Sequence, residues 1–576
     1  MDVVTRGIAP SESERLAVDS VLGPVGPPGE HSAVGGHDRR ALRPRLLDVL
    51  HAINDRVGWL SQEAIDHVAE RMDVSPAEIY GVATFYALFS TSERPRRQVH
   101  ACIDLACGQA GGFTEADLPD GAHPSPCLGQ CELGPAAYVV DPGDPARRTV
   151  VTGASRERID ALIAGAPTTD DDVRPPAASV PQAGQEGLVL LRRAGRDDPL
   201  DLDAYLGDGG FEALRAARRM GADEVIATIG RAGLLGRGGA AFPTARKWEA
   251  VLAQAASPHH LVCNADESEP GTFKDRALIE NDPYALIESM CIAALATGSE
   301  HGWIYLRGEY PRPEATLTTA LQRCRDRQVL GSGTGFDITL VRGAGAYICG
   351  EETAIFNSIE GRRGEPRNKP PFPFEHGLFG QPTAVNNVET LMNVPSLVLG
   401  RERADRRLFC VSGAVARPGV YEAEMGLTLD ELIELAGGVS GDGSVQAVLL
   451  GGAAGRFVGP DRLDLVLDHE AVRAAGLSLG SGVVMVFDRS ADLVAAVRRI
   501  AAFFRDESCG QCVPCRIGTV RQEEVLARLA RGVREGQLEL LADIGRAMTD
   551  ASICGLGQTA AHAVESAVGL GVFDDR

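Results

Sequence analysis

No run of 18 or more apolar residues occurs in the 576-residue chain, so no helix of it can span a bilayer. The first 30 residues lack the basic start and apolar stretch of a signal peptide. Positive charge is also scarce. Against 79 Asp and Glu stand 57 Lys and Arg, a net charge of −22, which argues against nucleic-acid binding because phosphates demand a basic surface. What the chain has is length, 67 Gly, 33 Pro and 13 Cys, with 44% hydrophobic residues to fill its cores. The length suggests three to five domains at roughly 100–200 residues each. A secreted disulfide protein spreads its cysteines through a small framework, whereas most of these sit in tight clusters, as metal-binding thiols of cytosolic proteins do. These features predict an acidic, multidomain, metal-binding protein of the cytoplasm.

The chain divides by composition. Residues 1–38 (GPVGPPGEHSAVGGHDRR at their end) read as a disordered tail. Residues 39–165 open with helical periodicity (Leu42, Leu46, Leu47, Leu50, Ile53, then Ile65, Val68, Met72) and a third helix capped by Ser75. Two short strands bearing cysteine pairs follow, which predicts a small α/β domain. Residues 166–187 (APTTDDDVRPPAASVPQAGQEG) form a Pro-rich acidic linker. Residues 188–404 alternate Gly-rich loops, apolar strands and helices, an α/β pattern. Residues 405–488 surround one helix (TLDELIELAGG) with β-rich runs, a small α+β insert. Residues 489–576 are helical: Leu493, Val497, Ile500 and Phe504 share one face, and three further stretches predict a four-helix bundle.

Near the C-terminus, ESCGQCVPCRIG places Cys509, Cys512 and Cys515 at C-x2-C-x2-C spacing, with Cys554 following in ASICGLGQT. Three thiolates at that spacing wrap one corner of a cubane, and a distant fourth closes it, which predicts a [4Fe–4S] cluster. Gly510 and Gly518 would let the backbone approach the sulfides. Zinc competes, although its sites usually come as two separated pairs. Cys102, Cys107, Cys127 and Cys131 form two such pairs and fit a [2Fe–2S] rhomb, one pair per iron; here zinc is the stronger competitor. Cys263, Cys291, Cys324, Cys349 and Cys410 stand singly and read as small buried hydrophobes, with only Cys349 placed in a Gly-rich loop.

Four polar loops occupy the central domain. In LLGRGGAAFPTARKW, Gly236, Gly238 and Gly239 surround Arg237, a backbone nest suited to an anion, and Lys247 adds a cation. The run also matches the degenerate dinucleotide fingerprint, but the segment before it (ADEVIATIGRAG) reads as helix rather than strand, which speaks against an ordinary Rossmann site. In VCNADESEPGTFKDR a strand runs into Asn264, Asp266, Glu267 and Glu269, groups suited to ribityl or ribose hydroxyls. RGAGAYICGEET joins glycines, Gly350 among them, to Tyr347, Glu351 and Glu352; RNKPPFPFEHGLFGQPTAVNNVET supplies Lys369, Phe372, Asn386 and Asn387. Tight turns, solvated acidic loops and core aromatics are the bland readings of each. Together the four loops predict a pocket for more than one nucleotide.

These motifs, in order with ESCGQCVPCRIG, resemble the flavin-carrying, NADH-binding subunit of respiratory complex I over about residues 205–576. The segment with FYALF and the two cysteine pairs resembles the thioredoxin-like [2Fe–2S] subunit of the same module. Their fusion is similar to the diaphorase subunits of soluble NAD-dependent formate dehydrogenases and NAD-reducing hydrogenases. The resemblance implies a thioredoxin-like domain, a Rossmann-like FMN and NADH domain, a ubiquitin-like insert (a β-grasp domain) and a [4Fe–4S] bundle. It implies FMN on the 236–239 loop, Lys247, Asn264, Asp266, Asn386 and Asn387, with NADH near Phe242, Glu269, Tyr347, Glu352, Lys369 and Phe372. Ala241 and Ala245 stand where the family usually has Gly. The 19 residues between Cys107 and Cys127 are fewer than usual, so a helix of the thioredoxin-like fold is expected to be trimmed. The implied activity is hydride exchange between NAD(H) and FMN, with no side chain acting as acid or base, and single electrons passing through the clusters to a catalytic partner subunit. Nothing in the sequence resembles a molybdenum, tungsten or nickel–iron site, so that site is expected on the partner. A formate dehydrogenase is the preferred expectation, partly on CGLGQTAAHAV. A hydrogenase diaphorase, a complex I subunit and a redox-inactive zinc scaffold are the alternatives.

Overall fold

A computed structural model describes residues 9–24, 36–196, 198–401, 404–441, 443–533 and 535–574. Three sheets organise it. In the first, β1 (Gln98–Cys102), β2 (Ala122–Ser125), β3 (Ala136–Asp141) and β4 (Arg147–Thr152) run in the order β2-β1-β3-β4. The β1/β2 pair is parallel and the rest antiparallel. Between Cys107 and Cys127, apart from β2, there is only the rest of the short helix Leu105–Gln109 and one 3-10 turn, Glu115–Asp117, in keeping with the trimmed helix expected there. Before this sheet, helices Leu46–Val57, Gln62–Met72 and Pro76–Ala83 follow the sequence periodicity, and Ser75 caps the third.

The second sheet holds β5 (His259–Ala265), β6 (Ser299–Leu306), β7 (Asp337–Arg342) and β8 (Thr383–Asn387), all parallel, in the order β7-β6-β5-β8. From β5 the chain winds outward through β6 and β7, then returns to place β8 on the other side. The switch point therefore lies between the ends of β5 and β8, where open parallel sheets bind ligands. Helix Pro283–Thr297, apolar on nearly every face, is buried beside the sheet and anchors the largest core. The third sheet holds β9 (Arg406–Gly413), β10 (Gly419–Glu424), β11 (Val445–Leu450), β12 (Arg456–Val458) and β13 (Val483–Asp488), in the order β10-β9-β13-β11-β12.

Four expectations change. Residues 12–22, expected within a disordered tail, form the helix Glu12–Leu22, closed by a Ser11–Glu14 capping box. Its Ala17 and Val18 are buried with the helices that follow, and the Glu14 carboxylate accepts a hydrogen bond from Ser61. The neighbouring Gly and Pro dominated the composition and hid this periodicity; residues 1–8 and 25–35 of the expected tail lie outside the described residues. The 166–187 linker is an ordered strap. Its Ser179 donates to Glu132, Gln182 pairs with the backbone of Glu422, and Val180 is buried in the largest core, so a few polar and apolar side chains anchor it together. The insert carries a second helix, His469–Ala474, besides Leu429–Leu435. The C-terminal region has a short helix, Gly555–Thr559, in addition to Leu493–Asp506, Val513–Leu529, Gln537–Ala551 and His562–Gly569.

Candidate cofactor and cluster sites

A cavity of about 210 Å³ opens at the carboxyl ends of β5 and β8, lined by the 264–275 loop, Gly238, Tyr347, Gly350, Glu351, Asn387, Ser481 and Leu556. Asn264 and Asn387 are register partners on the two strands. Asn264 donates to the Gly350 carbonyl at 2.8 Å and so ties two of the loops together. Asp266 is half-buried, one carboxylate oxygen accepting from Ser268 and the other, Oδ2, buried without a partner. Burial pushes its pKa well above the usual carboxylate range. An orphaned buried oxygen in a cavity wall awaits a donor from a ligand.

The glycine loop runs from helix Ala222–Ala232 to helix Thr244–Leu252 and is closed by Gly236 N–H donating to the Phe242 carbonyl at 2.9 Å. A Cβ on Gly238 would stand 3.2 Å from Cβ of Asn387, so glycine there permits close approach to β8. Ala241 adopts φ +51°, a left-handed conformation consistent with Gly being usual at that place. The Arg237 side chain leaves the cavity. It donates to the carbonyls of Ala404 and Arg406 at 2.9 and 3.1 Å and meets His469 at 3.3 Å, locking the loop to the insert.

Other expected residues divide likewise. Glu267 lines the cavity, but its carboxylate serves the protein, accepting from Thr272, Tyr310 and the N–H groups of Asp275 and Arg276 at the start of helix Lys274–Asn281. Asn386 lies behind the strand, accepting from the Trp248 indole at 3.0 Å. Glu269 reaches into the insert, accepting from Ala454 N–H at 3.0 Å and Ser481 at 2.9 Å; burial raises its pKa to about 7. Lys247 donates to the Val385 carbonyl at 2.8 Å and lies 3.8 Å from Glu352. Lys369 bridges Glu351 and Glu352 at 2.9 and 2.7 Å. Burial would raise the Glu352 carboxyl, yet the ammoniums of Lys247 and Lys369 hold it below its ordinary value. Phe242 and Phe372 are 52% and 44% exposed, and Phe372 stacks on Phe374 with ring centroids 5.7 Å apart. Exposed rings held this way offer faces to a planar ligand.

Sequence reasoning passed over Lys274 and Asp275. Both line the cavity and are buried together; Lys274 lies 2.8 Å from Asp275 and 3.0 Å from Glu389, while Asn387 donates to Asp275 at 2.6 Å. Burial raises Asp275 to about 7. The signal was present in GTFKDR, where a lysine begins the helix that closes the acidic loop.

The two cysteine sets expected from the sequence are placed as follows. Cys102, Cys107, Cys127 and Cys131 are all buried, with the sulfurs of Cys127 and Cys131 3.4 Å apart. A hydrogen bond to Cys107, then burial, pushes the Cys102 thiol up. In the second set Cys515 is buried and the other three partly exposed. Gly510 is required by its φ of +77°. Gly518 is not a cluster contact: its Cβ would strike Met548, so it serves helix packing. Gly557 is also tightly packed: its Cβ would meet the Ser552 side chain first and stand 2.9 Å from Cβ of Cys515. The five single cysteines are all buried; burial raises Cys349 to about 12. Neither set lines the cavity itself, but each lies one step behind its wall. Gly555 and Leu556, next to Cys554, form part of its wall. On the other side Arg307 links the Glu267 carbonyl to the Cys127 carbonyl.

The orphaned Asp266 oxygen, the tight Gly238 approach, the exposed aromatic faces and two grouped thiol sets fit a flavin, a nicotinamide nucleotide and two iron–sulfur clusters. Such a site defines the class: an NAD-dependent oxidoreductase, a diaphorase-type subunit. Residues 229–396 match the Nuo51 FMN-binding domain, 495–570 the NADH-ubiquinone oxidoreductase-F iron-sulfur binding region, 36–166 the thioredoxin-like [2Fe-2S] ferredoxin and 408–455 the SLBB domain. An NADH-quinone oxidoreductase subunit of Aquifex aeolicus is 43% identical over 393 residues, 65% of this chain and 91% of that protein. The NADP-reducing hydrogenase subunit HndC of Solidesulfovibrio fructosivorans is 38% identical, over 65% of this chain and 79% of that one. A chain of an NAD+-reducing [NiFe]-hydrogenase, solved in the air-oxidized state, superposes with a TM-score of 0.77 at 31% identity, covering 92% of this chain and 93% of that one. The chain belongs to the family of NADH-quinone oxidoreductase subunits built on the Nuo51 FMN-binding domain. Among the described residues no helix is long and apolar enough to cross a membrane.

Proposed function

We propose that this chain is the diaphorase of an NAD-reducing hetero-oligomeric complex, carrying FMN, NAD(H), a [4Fe–4S] cluster on Cys509, Cys512, Cys515 and Cys554, and a [2Fe–2S] cluster on Cys102, Cys107, Cys127 and Cys131. The observation that carries this reading is a cavity at the switch point whose wall holds Gly555 and Leu556, next to Cys554, and Glu267, whose carbonyl Arg307 ties to that of Cys127. FMN, when bound, would accept one hydride and release its two electrons singly, the chemistry that couples a nicotinamide to one-electron centres. The protein's part is geometric. Gly238 admits the ligand against β8, Asp266 and Lys274 face it with polar atoms, and Phe242 and Phe372 offer ring faces at the mouth. Glu351, Glu352, Lys247 and Lys369 hold a charged rim for the nucleotide. The antiparallel arms flanking the parallel β9/β13 pair, with helix Leu429–Leu435, support a β-grasp reading of the insert.

The preferred expectation of a formate dehydrogenase partner finds no support in the relatives described above. The near end-to-end correspondence with a hydrogenase chain favours the alternative, a nickel–iron partner. Purifying the complex and measuring nickel against molybdenum and tungsten tests this; molybdenum or tungsten without nickel would restore the formate reading. Flavin and iron analysis tests the diaphorase role itself, since zinc without flavin would mark a scaffold.

A further inference from the structure

The loop bearing Cys127 and Cys131 is gripped by side chains of the flavin-domain region. Arg276 donates to the Gly129 carbonyl at 2.9 Å, and Gly129 packs so closely on Tyr310 that a Cβ would meet its hydroxyl at 2.1 Å. Arg276 is surrounded by carboxylates: it pairs with Glu132, and with Glu280 at 3.1 Å. Arg307 differs. It leaves the end of β6, is 2% exposed, and spends its fork on two carbonyls. Nη1 donates to Glu267 in the cavity wall at 2.7 Å, and Nη2 to Cys127 at 2.6 Å. One carboxylate, Glu309, pairs with it at 3.3 Å, and its guanidinium lies 4.9 Å from the centre of the Tyr310 ring.

We propose that Arg307 is a positioning residue that raises the reduction potential of the [2Fe–2S] site and holds its ligand loop against the cofactor cavity, with Glu309 opposing that charge. This rests on the reading of Cys102, Cys107, Cys127 and Cys131 as cluster ligands. A reduced cluster carries one more negative charge than an oxidised one. A buried cation at a ligand's carbonyl therefore favours the reduced form, and a buried anion disfavours it. Planarity matters too, because the rigid fork holds two acceptors in a fixed geometry that a lysine's rotating ammonium does not impose.

The test is a potentiometric titration followed by electron paramagnetic resonance on the full-length, iron- and flavin-loaded protein and its R307Q, R307K and E309Q variants. The expected result is a lower [2Fe–2S] midpoint in R307Q, a higher one in E309Q, and R307K nearer to the wild type than R307Q. The [4Fe–4S] midpoint should stay in place throughout. Midpoints that do not move, that move the same way in R307Q and E309Q, or that shift equally for both clusters would overturn the proposal. If R307Q does not load iron, E309Q decides: an unmoved or lowered [2Fe–2S] midpoint overturns it. A wild-type protein with iron but no [2Fe–2S] signal would instead count against the ligand assignment.

Discussion

At the residue scale, the site depends on small distances and on burial. Gly238→Ala would set a methyl group 3.2 Å from Asn387, and either that side chain or the loop must yield. The expected outcome is a lower flavin content at equal purity, with a stability loss of about 1–3 kcal/mol, read by absorbance and by thermal melting. Glu269 gives a pH dependence. Burial raises its folded-state pKa to about 7 from an ordinary 4.5, so the folded protein holds a proton that the unfolded chain has released. Its contribution is fully present below about 4.5 and is lost as pH rises toward 7, by at most roughly 3 kcal/mol. Across that window the wild type should lose denaturation stability faster than Glu269→Gln; parallel curves would refute the assignment. Lys274 shows why the sequence did not yield every site residue. Its place in the cavity is set by Asp275, Glu389 and Asn387, and Glu389 and Asn387 arrive only because β8 and the helix after it return beside β5.

Elements were legible where periodicity and caps agreed, and less so where composition spoke louder. Helix Pro76–Ala83 begins at Ser75 as its motif requires. Helix Glu12–Leu22 has an equally good start in Ser11 and Glu14, but the Gly and Pro that follow obscured it. Ser11→Ala should cost ~1 kcal/mol, seen as a lower unfolding midpoint, if this helix contributes to the global fold. No change would mean that it frays before the rest unfolds. The 166–187 strap makes the converse point. Few apolar residues do not make a segment loose when Ser179 and Gln182 find buried partners.

For the whole molecule, the fused arrangement brings two thiol sets close behind the wall of one cavity although more than 350 residues separate Cys131 from Cys509. The loaded chain should hold about six irons, four in one cluster and two in the other. Cys509→Ser should remove or convert the [4Fe–4S] signal while the [2Fe–2S] signal persists; loss of both together would contradict two separate sites. The sequence by itself determined the cysteine spacings, the glycine loops, the α/β alternation of the central domain and the helical C-terminus, because these rest on local spacing, turn chemistry and periodicity. Only the tertiary structure decided which polar side chains face the cavity. It turned Arg237 toward the insert and Asn386 toward Trp248, and gave Glu267 to the backbone of a helix start. It also placed Arg307 between the cavity wall and Cys127. The physical reason is that a buried polar group must find a partner, and that partner is chosen by the strand and helix brought beside it, often far away in sequence.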